Sequence, residues 1–352
     1  MTKASSYSLR SHLLAGQVIP ALPLALRNDR RWDERRQRAL VRYYVDAGAG
    51  GLAVAVHSTQ FAIRDPEIGL YEPVLALAAD AVRNWLGRAK RPRPFALIAG
   101  LCGKTRQALA EARTARALGY EAGLLSLGAW KNEPESAVLE HCRRVGAELP
   151  LIGFYLQPAV GGRIFSYRFW RSFAEIPELV ALKLAPFDRY RTLDAVRAVM
   201  EAGRDDVALY TGNDDNIIAD LLTLFRFAGR TRQFDGGLLG QWGVWTERAV
   251  ALFRELQRAR SRGKIDRDWL ARNVALTDAN AAIFDSAHAF AGCLPGIHEV
   301  LRRQGLLATT ACLDPHERLS EGQAREISRV STAYPWLCDD DFVARHRAAW
   351  LA

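Results

Sequence analysis

The chain has 352 residues, 49% of them hydrophobic, and a formal net charge of +9 at pH 7. That apolar fraction fills a sizeable core and excludes a disordered chain, and the length suits a barrel with an appendage. The positive charge comes mostly from arginines scattered through helical patterns, as in Arg30-Arg31, Arg35-Arg36 and the run from Arg254 to Arg262; no basic block is interleaved with aromatics, so nucleic acid is not an expected partner.

Short apolar runs alternate with amphipathic stretches from Gln17 onward. The runs predict strands over residues 18–25, 51–56, 95–101, 123–127, 151–156, 180–184, 207–211 and 234–240. Apolar residues at helical spacing predict helices over 33–47, 71–86, 105–118, 133–145, 167–173, 188–202, 214–227 and 246–260. Asp33, Thr105 and Asp188 suit N-caps, and Gly48, Gly119 and Gly203 suit C-terminal stops. About eight strand-then-helix units imply a parallel sheet closed into a (β/α)8 TIM barrel over residues 1–262. A doubly wound open sheet is the alternative, but no Gly-x-Gly-x-x-Gly opens a first helix. After Gly263 only helices are expected, over 266–276, 278–290, 297–304, 321–333 and 340–350. They make residues 263–352 a C-terminal helical extension packed on the barrel.

The five cysteines are widely spaced with no Cys-x-x-Cys, and the seven histidines form no His-x-His or His-Glu-x-x-His pattern. Reduced thiols in a cytoplasm fit this usage, and no dedicated metal site is expected. Residues 1–16 lack the apolar core of a signal peptide, and nothing approaches the ~20 apolar residues of a membrane span.

The stretch Glu178-Leu-Val-Ala-Leu-Lys183-Leu-Ala-Pro186 sets one lysine in an apolar strand. Burial disfavours the ammonium, and a neutral amine condenses with carbonyls to a Schiff base; the alternative is a lysine snorkelling at a strand end. By alternation, Lys183 shares its face with Ala181 and Ala185. Tyr155 shares a face with Leu151 and Gly153 on the preceding strand, so tyrosine and lysine are expected to meet in one mouth. There a phenol is a sensible proton shuttle; the alternative is a core tyrosine. Other strand ends bring His57-Ser58-Thr59-Gln60, Leu101-Cys102-Gly103, Gly212-Asn213-Asp214 and two tryptophans, Trp130 and Trp242, to the expected mouth. These indoles suit stacking on an aromatic or sugar-like substrate, or loop packing. Cys102 reads as a small hydrophobe.

These motifs, in this order, resemble the dihydrodipicolinate synthase / N-acetylneuraminate lyase family of Schiff-base-forming barrels. The likeness runs from about Gln17 to Phe234. It rests on Val18-Ile-Pro-Ala-Leu, Asp46-Ala-Gly-Ala-Gly-Gly-Leu52, Tyr155-Leu-Gln-Pro158, Ala181-Leu-Lys183 and Gly212-Asn213-Asp214. The resemblance implies a lyase or aldolase in which Lys183 forms the imine with a pyruvate-like 2-keto acid and Tyr155 relays protons. It also implies that Ser58 and Thr59, with Gly212 and Asn213, hold the substrate, that no cofactor takes part, and that the chain forms a homodimer or homotetramer.

The departures are as informative. The family's Gly-Thr-Thr-Gly-Glu is here Val56-His57-Ser58-Thr59-Gln60, so an imidazole replaces a relay hydroxyl and His57 becomes either an acid–base group or a space filler. Val160 stands where the synthases carry a carboxylate-binding arginine, and Ala185 where sialic acid lyases carry a hydroxyl. Dihydrodipicolinate synthesis and sialic acid cleavage are therefore both disfavoured. The alternative to an enzyme is a barrel that keeps the pocket as a small-acid binding or structural protein.

Overall fold

The computed structural model describes residues 7–88 and 93–352. The strands in chain order are β1 (Val18–Pro20), β2 (Gly51–Val54), β3 (Ala96–Leu101), β4 (Ala122–Leu125), β5 (Leu151–Leu156), β6 (Leu179–Ala185), β7 (Ala208–Thr211), β8 (Phe225–Phe227), β9 (Arg230–Arg232) and β10 (Gly236–Leu239). All but β8 and β9 join one parallel eight-stranded sheet in the order β1-β10-β7-β6-β5-β4-β3-β2. A parallel bridge between Ala21 and Ala53 closes the ring, backed by Gly50 N–H donating to Val18 C=O at 2.9 Å. The result is the expected (β/α)8 barrel. Strands buried on both faces read as unbroken apolar runs, and β6 is buried at all seven positions, lysine included.

Helices α1 (Leu9–Leu14), α2 (Glu34–Asp46), α3 (Tyr71–Leu86), α4 (Thr105–Ala117), α5 (Glu135–Gly146), α6 (Tyr167–Ala174), α7 (Arg189–Glu201), α8 (Ile217–Leu222) and α9 (Thr246–Ser261) belong to the barrel. The extension adds α10 (Asp268–Ile283), α11 (Cys293–Arg303), α12 (Gln323–Ala333) and α13 (Asp340–Leu351). Asp33 and Asp188 cap α2 and α7 by accepting from the amides of Arg36 and Arg191. Gly48, Gly119 and Gly203 stop their helices with φ of +93°, +87° and +71°, where a Cβ is strained.

One apolar cluster fills the barrel interior, including Ile19, Ala53, Ile98, Leu124, Ile152 and Leu238, with Leu13 of α1 at its lower end. A larger cluster lies between strands and helices. The extension returns to the start of the chain. Trp350 of α13 donates to Asp46 at 2.7 Å, Arg42 donates to the Trp350 carbonyl at 2.6 Å, and Tyr43 donates to Asp339 at 2.7 Å.

Several expectations are corrected. Helix α1 was not foreseen; it seals the base of the barrel, with Tyr210 donating to the Leu13 carbonyl at 2.9 Å. Strand β1 is shorter than expected: its last residue, Pro20, has no N–H to give the ladder, and only the Ala21 bridge to Ala53 follows it. Thr105 is the first helical residue and not a cap; its hydroxyl meets His141 Nδ1 at 3.0 Å. The helix expected over 214–227 is only α8, followed by the β8–β9 hairpin. Ala228 and Gly229, with φ of +52° and +70°, form the tight turn between Phe225-Arg226-Phe227 and Arg230-Thr231-Arg232. The two helices expected over 266–290 are one, α10, and Asp278 lies inside it, accepting from Arg329 and from Tyr334.

Candidate active site

Lys183 stands on β6 with its side chain in the barrel mouth, and its strand partners are Phe154 on β5 and Tyr210 on β7. The amine lies 4.4 Å from the centre of the Phe154 ring. Burial lowers its pKa from 10.5 to about 8, against the opposing pull of Asp214. Gly212, at the end of β7, is required by this path: a Cβ there would sit 2.6 Å from Lys183 Cε and 2.9 Å from Ala185 Cβ.

Asp214 faces the lysine from the loop after β7, its Oδ1 accepting from the Gln241 amide at 2.9 Å. Burial raises its carboxyl to about 7, while the Gln241 amide and Lys183 pull it down. His57 and Ser58 come from the turn after β2. Burial, and then the nearby Lys183 charge, lower the His57 imidazole to about 4, so it is neutral at working pH. The Ser58 hydroxyl is buried with no hydrogen-bond partner and lines the cavity, a free donor beside the amine.

That turn is braced from behind. Ala55 and Gln60, which bracket it, take φ of +61° and +67°. Arg64 donates to the carbonyls of Ala55 at 3.0 Å and Gly100 at 2.9 Å and pairs with buried Glu111 at 3.0 Å. Glu111 in turn accepts from the Cys102 amide at 2.9 Å. Replacing Arg64 by methionine leaves the Glu111 charge unpaired, and we expect a loss of about 3 kcal/mol in denaturant unfolding.

The cavity is open to solvent and, with the space at its mouth included, contains about 670 Å³ free of protein atoms. Phe154, Leu156, Gln157 and Val160 form one wall, and Phe187 stands on the loop after β6. Phe284, Phe290, Cys293 and Ile297 reach in from the extension.

Lys183, His57, Ser58 and Gly212 thus meet in one cavity, and five other expected site residues do not. Tyr155 pairs with Leu184, the outward neighbour of the lysine, and its ring packs on Trp170 with centroids 4.6 Å apart. Its hydroxyl is buried without a partner between barrel and helix. Alternation puts Gly153 and Tyr155 on one face of β5, and that face looks outward to the helices and not into the mouth. The glycine instead admits α6: a Cβ there would lie 2.5 Å from Phe173. Tyr155→Phe is therefore expected to spare turnover, unlike the roughly 10²–10⁴-fold loss on removing a general acid–base group. The phenol lies toward the Phe165 backbone and Trp170 without a well-formed hydrogen bond, so its loss should change stability by less than about 1 kcal/mol; steady-state rates and thermal melts check both.

Thr59 donates to the Leu22 carbonyl at 2.6 Å and serves the turn. The Asn213 amide bridges Thr192 and Asp220 while its oxygen accepts from the Phe187 amide at 3.1 Å, so it positions Phe187 from outside the cavity. Trp242 is 1% exposed behind β10 against Phe253, because Gly237 leaves it room. Trp130 stacks beside His141 at 4.6 Å under Lys104. Both indoles are packing residues. Sequence reasoning missed Asp214, although it is the third residue of the Gly-Asn-Asp motif, and Phe154, which parity placed on the wrong face. The phenylalanines of the extension carried no signal, because helix patterns do not say where a helix docks.

No protein-family model matches the chain. A curated relative, the 4-hydroxy-tetrahydrodipicolinate synthase of Thiobacillus denitrificans (strain ATCC 25259 / T1), is 26% identical over 205 residues. That match covers 57% of this chain and 64% of the relative, less than two thirds of its length. Among solved structures, the N-acetylneuraminate lyase from Fusobacterium nucleatum superposes with a TM-score of 0.70 at 17% identity, over 91% of this chain and 99% of that one. YagE, a prophage protein of the dihydrodipicolinic acid synthase family from E. coli K12 in complex with pyruvate, gives 0.71 at 17% identity, over 92% of this chain and 98% of that one. These two structures share the fold. No helix among the described residues is long and apolar enough to cross a membrane.

Proposed function

We propose that the chain is a divergent member of the dihydrodipicolinate synthase / N-acetylneuraminate lyase family of barrels, and that it is a class I aldolase or lyase acting through a Schiff base on Lys183. The observation that carries this is the lysine itself, buried in an apolar cavity with its pKa lowered to about 8. A buried lysine is costly to keep, and a depressed pKa is what a nucleophilic amine requires.

The neutral amine attacks the 2-carbonyl of a pyruvate-like acid, water leaves, and the protonated imine becomes the electron sink. Loss of a C3 proton gives an enamine whose carbon attacks an electrophile; cleavage runs the same steps backward. Proton transfer falls to Asp214, whose carboxyl at about 7 exchanges protons near neutrality. The Ser58 hydroxyl donates to the acid's carboxylate. Neutral His57 stands close enough to Lys183 to feel its charge and accepts or donates a hydrogen bond in the mouth.

Borohydride trapping tests the proposal: wild type incubated with pyruvate and a panel of 2-keto acids should gain a reduced adduct that maps to Lys183. A folded protein that traps none of them rejects the Schiff base. A second reading, a barrel that binds a small acid without turning it over, is favoured by one observation. The aromatic ring beside the amine is Phe154, which has no phenol to shuttle protons. An adduct without C–C cleavage, condensation or dehydration would select that reading.

A further inference from the structure

We propose that the carbonyl compound joined to, or released from, the keto acid bears an aromatic or bulky apolar group, seated against the C-terminal extension. The inference rests on the Schiff-base reading and goes beyond it to the second substrate.

The cavity has two unlike ends. Lys183, Asp214 and His57 lie with Ser58 at the strand ends, and the other ionisable lining group, the Cys293 thiol of the extension, is pushed up by burial and stays neutral. The loops and the extension add Val160, Phe187, Phe284, Phe290 and Ile297, with Gln157 as the amide side chain among them. Among the described lining residues Lys183 is the only lysine or arginine, and it is consumed by the imine. A second carboxylate or a phosphate would be buried there without a cation, and of the wall beyond the strand ends Gln157 alone could hydrogen-bond a polyhydroxylated chain, whose other hydroxyls would face rings and aliphatic groups. An aromatic group suits that wall, whose Phe187 and Phe290 rings already form a tilted pair 5.9 Å apart.

The wall is also held rigidly. Phe187 and Phe290 take φ of +50° and +68°, and Asp285 and Ala289 take +60° and +52°. Bulky residues in left-handed backbone persist only where surroundings over-determine them. Here the Phe187 amide is held by Asn213 at 3.1 Å and the Phe290 amide by the Asp285 carbonyl at 3.0 Å. The Asp285 carboxylate accepts from the Gly292 amide at 2.9 Å and from Ser320 at 2.5 Å, and it meets His288 Nδ1 at 2.6 Å. Two strained turns from different parts of the chain thus present preorganised rings to the same space.

In the step proposed, the enamine carbon bonds to the aldehyde carbon and the carbonyl electron pair moves to oxygen, which takes a proton from Asp214. Water hydrolyses the imine, replacing the water lost on its formation, and a 4-hydroxy-2-keto acid with the aromatic group on C4 leaves.

The test uses the full chain with pyruvate and, in separate assays, benzaldehyde, glyceraldehyde and glyoxylate, following initial consumption of pyruvate and borohydride trapping in parallel. The expected result is a kcat/KM for benzaldehyde at least about tenfold above the other two. The ratio of benzaldehyde to glyceraldehyde should fall toward one in both Phe290→Ala and Phe187→Ala, so that failure of one variant to fold leaves the other to decide. An adduct on Lys183 with equal or preferred use of glyceraldehyde or glyoxylate, or with no condensation at all, overturns this proposal and leaves the Schiff base standing. No adduct overturns both.

Discussion

Replacing Lys183 by methionine is expected to abolish the borohydride-trapped adduct and cut turnover by at least about 10⁴-fold, while making the protein more stable. The two effects share a cause. The amine is buried beside Phe154 and its pKa falls from 10.5 to about 8, so the folded state disfavours the ammonium that the unfolded chain carries freely. Between those values the unfolded chain binds more protons than the folded one, and the lysine's contribution to stability rises with pH across that window. Below about 8 the cost of burying the charge is present in full. An apolar side chain of similar length removes it, and because Asp214 takes up a proton instead of remaining an unpaired buried charge, we expect a gain of about 1–3 kcal/mol at neutral pH. Asp214, left without its cation, then stays protonated to higher pH. Denaturant titrations of both proteins at pH 7 and pH 10 read the difference, which should shrink at the higher pH. A methionine variant less stable than wild type would mean that the lysine is a structural element and not a functional burden.

Asp214→Asn separates the two steps of the reaction. The carboxylate raises the lysine pKa, and burial alone would take it lower. Without that charge the amine is neutral at lower pH, so the pH profile of pyruvate trapping should move down. Turnover should nevertheless fall by about 10²–10⁴-fold, because the group that exchanges protons near neutrality is gone. Trapping profiles by intact mass, set beside steady-state rates, distinguish the effects. A profile that moves up or stays in place would break the assigned link between Asp214 and Lys183. Preserved turnover would pass the proton transfer to His57 and Ser58.

The barrel itself was legible because its signals are local. Each β/α unit carries its own apolar run, and several add a local punctuation mark, a cap such as Asp33 or Asp188 or a left-handed glycine stop such as Gly48 or Gly119. Lys183 was legible for the same reason, a charge inside a seven-residue buried strand. Tyr155 was not, because alternation gives two faces without saying which looks inward. The deciding fact is the close approach of Phe173 to Gly153, residues that meet only after α6 docks. The tryptophans failed alike, since a strand end does not fix whether the next indole turns to the mouth or to the core. Phe284, Phe290 and Ile297 were invisible as site residues because their place depends on where the extension packs, a long-range property with no periodic trace.

The return of α13 onto α2 also bears on how the molecule is made. Tyr43 and Tyr44 are fully buried in the finished protein, and the edge-on partner of Tyr43 is Trp350. The indole that bonds Asp46 lies 304 residues later, so at about 5–20 residues per second it leaves the ribosome roughly 15–60 s after the helix it covers. During that interval strand β1 also waits for β10, its neighbour in the sheet. The earliest β/α unit therefore spends its time on the ribosome with apolar rings and a strand edge uncovered. A nascent chain of this protein is a natural client for holdase chaperones until α13 has emerged.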